Sequence, residues 1–127
     1  MRLIPVCLIA LTSLLAQEGH PLVGSWHGDW GADTKERTSV TFLLNYDGKN
    51  ITGTINPGPD AARLQKATLD PSNWGVHFEA DMKDRSENLI HVAIDGHIED
   101  VTSARRRIVG TWTQGPAKGD FKVTRDD

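Results

Sequence analysis

The chain has 127 residues, enough for one domain, with 14 basic and 17 acidic side chains and a formal charge of −3. A mildly acidic chain of this kind is a poor partner for nucleic acid or an anionic membrane surface. The single cysteine, Cys7, excludes a fold stapled by internal disulfides.

Residues 1–16, MRLIPVCLIALTSLLA, place one arginine before an apolar run broken only by Pro5, Thr12 and Ser13. This is the layout of an export signal, too short to span a bilayer comfortably, and cleavage is expected after Ala16. Leu14 is bulkier than the usual residue two places before Ala16. Cleavage removes Arg2 and Cys7, leaving 13 basic and 17 acidic side chains and a formal charge of −4. The mature chain, 17–127, is expected to be periplasmic or secreted, with no segment inserted in a membrane.

The mature sequence alternates by twos, with glycine and proline at intervals suited to short strands. Eight strands are expected, at about 22–30, 36–46, 49–56, 64–70, 74–82, 87–99, 104–114 and 118–125. Residues 57–66 carry Pro57, Gly58 and Pro59 and leave room for one helical turn before the fourth strand.

Asp47-Gly48 predicts a two-residue type I′ hairpin, with Leu44 facing Ile51, Phe42 facing Gly53 and Val40 facing Ile55. In that register Phe42 covers the bare backbone of Gly53. Asn50-Ile51-Thr52 beside this turn is a formal glycosylation acceptor. A turn at Asp95-Gly96 would mix apolar and polar faces, so Gly96 reads as strand-interior. At the last hairpin, Trp112 facing Phe121 implies a four-residue loop, Gly115–Lys118. Ile51-Thr52-Gly53-Thr54 leading to Gly58-Pro59 is echoed by Ile108-Val109-Gly110-Thr111 leading to Gly115-Pro116, as in a repeating meander. The predicted fold class is all-β, a small eight-stranded antiparallel up-and-down barrel, since closure removes exposed strand edges.

Parity gives an inward list that is almost wholly apolar, including Trp26, Trp30, Val40, Phe42, Leu44, Trp74, Phe78, Met82, Trp112 and Phe121. An eight-stranded barrel is just wide enough to pack solid or to hold one small ligand. The candidate ligand contacts are Trp30, Phe42, Trp74, Phe78 and Trp112.

His27, His77, His91 and His97 take the outward parity, and His20 lies in a stretch expected to be disordered. His77 and His91 read as cross-strand neighbours beside Glu79, but they lack the thiolates and tight spacing of structural zinc, so no metal is expected. No inward carboxylate pair, nucleophile elbow or phosphate-binding glycine loop is present, so no catalytic residue and no cofactor is assigned. The basic run Arg105–Arg107 reads as a solvated strand end.

Gly24-Ser25-Trp26 on the first strand, with Arg125 near the C-terminus, resembles the signature of calycin barrels, the lipocalins and avidins. In those proteins the arginine packs over the tryptophan and closes the barrel base, which implies that role for Gly24, Trp26 and Arg125. The string from Asp47 to Thr54 is similar to the second avidin hairpin. Trp74, Val76 and Phe78 resemble a later avidin strand, and Trp112 falls where another avidin tryptophan lies. Gly28, Ala32 and Ile55 stand where avidins place polar biotin contacts, so the resemblance does not imply biotin. Lipocalins are longer, with a C-terminal helix and a disulfide, so the pattern is most similar to short exported bacterial barrels. The expected function is an exported binding module for a small, largely apolar ligand in the lumen, or else a filled barrel that meets protein partners. A small enzyme using the outward histidines is a third, weaker reading.

Overall fold

The computed structural model describes residues 20–59, 61–83 and 86–126. The expected signal segment, with Cys7, lies outside the described residues. Eight antiparallel strands close into a barrel in sequence order: β1 Gly24–Gly31, β2 Thr38–Tyr46, β3 Ile51–Ile55, β4 Ala62–Asp70, β5 Gly75–Lys83, β6 Leu89–Glu99, β7 Arg107–Gln114 and β8 Ala117–Arg125. β1 and β8 complete the ring, from Trp26 beside Arg125 to Gly31 beside Asp120. Each expected strand is present. The segment before β4 holds a single turn, with Ala61 N–H donating to the Gly58 carbonyl (3.2 Å).

Alternation places the apolar residues inside, as period-two patterning requires. Trp26, Phe42, Phe78, Trp112 and Phe121 are fully enclosed, with Leu44, Ile55, Val92, Ile94, Ile108 and Val123 around them. The aromatic rings meet one another at mid-barrel. Phe42 lies 5.8 Å from Phe78, 5.7 Å from Phe121 and 6.5 Å edge-on from Trp112, centroid to centroid. These separations suit tilted and edge-to-face aromatic packing.

Two hairpin registers differ from expectation, each by two residues, so every side chain keeps its face. The Asp47 carboxylate accepts the N–H groups of Lys49 (2.9 Å) and Asn50 (2.6 Å), which stabilises a four-residue loop, Asp47–Asn50. Phe42 therefore pairs with Ile55 and Leu44 with Gly53, and it is Leu44 that covers the bare glycine. At the last hairpin the loop is shorter than expected. Gly115, at φ 59°, and Pro116 form a two-residue turn, so Trp112 pairs with Gly119 and Phe121 with Gly110. Glycine first and proline second fit a type II′ turn, where only the first central residue needs positive φ. Gly96 lies within β6 and pairs with Gly110.

One end of the barrel is plugged by the N-terminal segment. Leu22 is 0% exposed, and its carbonyl accepts the Trp26 indole N–H (2.9 Å). Arg106 Nη1 donates to the Pro21 carbonyl (3.0 Å), and the Arg106 carbonyl accepts the Arg125 N–H (2.9 Å). Arg107 meets Glu99 and Asp100, each at 3.1 Å. Arg106 and Arg107 thus make specific contacts, while Arg105 is exposed, as expected of a solvated strand end. His20, expected to be disordered, stacks on Tyr46 with ring centroids 4.1 Å apart.

Candidate functional site

The five candidate ligand contacts separate along the barrel axis. Phe42 and Phe78 lie at mid-barrel, locked against other rings and away from any opening. Trp30 and Trp112 meet at the end opposite Leu22, as β1 approaches its end and β7 its own. Their rings stack at 5.1 Å and 8°. With Val40, Asn56, Met82 and Gln114 they border a cavity of about 300 Å³ at the barrel mouth.

The mouth sets apolar side chains beside a polar rim that includes Thr38, Ser39 and Lys83. The Trp112 indole N–H donates to Gln114 Oε1 (3.1 Å), and Asn56 Oδ1 accepts the Thr41 N–H (3.0 Å). Trp30 and Met82 are half-buried at the opening, with Trp112 and Val40 enclosed behind them. Gln114 and Asn56 are residues that sequence reasoning missed. The inward parity of Gln114, two places beyond Trp112, was the available signal.

Trp74 belongs elsewhere. It was expected to begin the fifth strand, but at φ 58° it sits in the turn before β5, and its carbonyl accepts the Ile98 N–H (2.9 Å). It faces the plugged end, beside a cleft of about 570 Å³ that also touches Tyr46, Ile51, Ala67 and Leu69. The candidate contacts therefore form two sites and a sealed middle.

Gly24, Trp26 and Arg125 are brought together at the plugged end. Arg125 pairs with Trp26 across the β1–β8 seam, and its side chain lies over Gly24, where an added Cβ would stand 2.8 Å from Nε. Arg125 Nε is buried without a hydrogen-bond partner.

The outward histidines are arranged differently from expectation. His77 pairs with Asp95, and His91 pairs with Asp81, so the two imidazoles are not direct neighbours. Glu79 stands between them. His77 contacts Asp95 through Nδ1 (2.5 Å) and Glu79 through Nε2 (2.6 Å), while His91 contacts Asp81 through Nδ1 (2.8 Å) and Glu79 through Nε2 (2.9 Å). Glu79, then Asp95, raises the His77 pKa, and Asp81, then Glu79, raises that of His91. Among the described residues no group of three or more His, Cys, Asp or Glu is arranged to hold a metal ion. His27 contacts Asp126, and His97 approaches Glu99 at 3.5 Å.

A further polar joint crosses the other end. Arg37 Nη2 meets Asp29 (2.7 Å), and its two terminal nitrogens meet the two oxygens of Asp120 at 2.8 and 3.1 Å. It ties the loop after β1 to β1 and β8.

Fold and clefts together define a small closed barrel with a packed centre, one plugged end and a cleft at the other. Comparison with protein-family models, curated proteins and solved structures finds no match to this chain.

Proposed function

We propose that this is an exported, calycin-type binding barrel that holds a small, largely apolar ligand at the mouth of its lumen. The observation that carries the reading is the stacked Trp30–Trp112 pair beside an open cavity of about 300 Å³. That volume lies at the small end of the range for ligand pockets, which are mostly apolar with a few oriented polar groups. Burial of ligand surface against the rings supplies the driving force, at roughly 25 cal/mol per Å² before ordering costs. Gly24, Trp26 and Arg125 close the far end, so entry is from the Trp30 side. The apolar run in residues 1–16 supports export, and the resemblance of Gly24, Trp26 and Arg125 to the calycin signature supports the family.

The test is tryptophan fluorescence during titration with a panel of fatty acids, small aromatics and tetrapyrroles. Saturable quenching, weakened about tenfold or more by Trp112→Ala or Trp30→Ala, is expected where ring burial supplies most of the affinity. Phe78→Ala distinguishes contact from support: it should destabilise the fold by about 3–5 kcal/mol through a core cavity. Absence of saturable quenching across the panel rejects the reading. A filled barrel meeting partners through its outer face then takes its place, and the packed aromatic centre favours that second reading.

A further inference from the structure

The barrel is unequally closed. β3 and β4 share only two rungs, Thr54–Arg63 and Ile55–Ala62, although β4 continues for seven more residues to Asp70. A bulge at Gln65, between the pairs that Leu64 and Lys66 make with β5, bends β4 away from β3. β3 over Ile51–Gly53 and β4 over Leu64–Asp70 are paired on one side only, so two strand edges face a wedge-shaped seam. Unpaired edges of this kind are templates for another chain.

Two clefts flank the seam. The outer one, about 550 Å³, is bordered by Leu43, Thr52, Thr54, Arg63 and Leu64. The inner one is the 570 Å³ cleft of Ile51, Ala67, Leu69 and Trp74. Leu43, 40% exposed, is one of two large hydrophobic side chains exposed among the described residues, and it sits on the outer rim. The charged residues bordering the clefts are Lys49 and Arg63, with no carboxylate, in a chain of net negative charge.

We propose that the β3–β4 seam docks an extended, acidic strand from a partner protein, hydrogen-bonded to the free edge of β4. A row of backbone donors and acceptors at strand spacing is matched by another extended backbone, the basis of β-strand addition. Alternate side chains of the docked strand point to opposite faces. One set enters the cleft of Ile51, Leu69 and Trp74, which Lys49 borders, and the other lies by Leu43 and Arg63. Apolar residues alternating with Asp or Glu satisfy both. This docking surface is separate from the Trp30–Trp112 mouth and does not depend on it.

The probe is a synthetic peptide about seven residues long, matching the free run of β4, with valine alternating with glutamate. Its addition to the protein should slow amide hydrogen exchange in Ile51–Gly53 and Leu64–Leu69. Replacing its glutamates with lysines should weaken binding about tenfold or more, and Arg63→Glu with Lys49→Glu should reverse that preference. Methylation of alternate peptide nitrogens on the bonding edge should abolish binding. Leu43→Asp, an exposed substitution that leaves the core intact, should also weaken the acidic peptide. No protection in these segments, equal binding of the methylated peptide, or unchanged preference after charge reversal overturns the proposal. So does concentration-dependent dimerisation that protects the same amides without peptide, which assigns the seam to a second copy of this chain.

Discussion

An imidazole can donate from both ring nitrogens only when protonated, and His77 and His91 each place both nitrogens against carboxylates. Folding therefore favours the imidazolium, and both pKa values rise from the ordinary 6.5. The linked stability is fully present below pH 6.5 and is lost as pH rises through the raised values. Hydrogen bonds from His77 and then His91 lower the Glu79 pKa from 4.5, and those from His91 and then Gln65 lower that of Asp81 from 3.8. Their contribution is present above those ordinary values and disappears as pH falls through the lowered ones. The ladder should stabilise most between about pH 4.5 and 6.5. Denaturation of wild type and the His77→Gln, His91→Gln double variant across pH checks this. The stability gap should be largest in that window and shrink above it. A gap that widens steadily above pH 6.5 contradicts the arrangement.

At the scale of the strand, alternation and turn chemistry carry different information. The inward and outward faces were legible because a side-chain period of two survives any register shift of two. Loop length was not legible, because it depends on where a side chain satisfies backbone groups. The Asp47 carboxylate takes two N–H groups and lengthens one loop, while Gly115-Pro116 shortens another. Parity also says nothing of height along the axis. It gathered Trp30, Trp74 and Trp112 into one lumen, although Trp74 sits in a turn at the opposite end. The strand-interior reading of Gly96 has a direct test at its partner. A Cβ on Gly110 would stand 2.0 Å from the Asp95 carbonyl oxygen and 2.5 Å from Gly96 Cα, so β6 and β7 must move apart to admit it. Gly110→Ala should destabilise by about 1–3 kcal/mol, the usual cost of overpacking, in chemical denaturation.

Over the whole molecule the two ends differ, one carrying the cleft beside Trp30 and the other a plug built from residues outside the strands. Leu22 falls within the expected first strand at 22–30, but it lies before β1 and fills the base of the barrel as a plug. Its position bears on export. Cleavage after Ala16 leaves His20, Pro21 and Leu22 on the mature chain, so the Trp26 indole keeps its acceptor and Arg106 keeps the Pro21 carbonyl. Intact-mass measurement of exported protein should show a chain beginning near Gln17, and recovery of a chain retaining Met1 rejects the processing. A chain beginning at Gln17 should then denature like the full-length protein. One beginning at Gly24 loses the Leu22 side chain, worth about 2–5 kcal/mol when a buried leucine is truncated. It also leaves the buried Trp26 N–H without an acceptor, at about 1–3 kcal/mol more. These costs add only partly, because both act on one contact. Leu22→Ala in the Gln17 chain separates them, since it keeps the carbonyl and removes the side chain. Its loss should fall between the other two. A Gly24 chain as stable as the Gln17 chain would show that the barrel base closes without its plug.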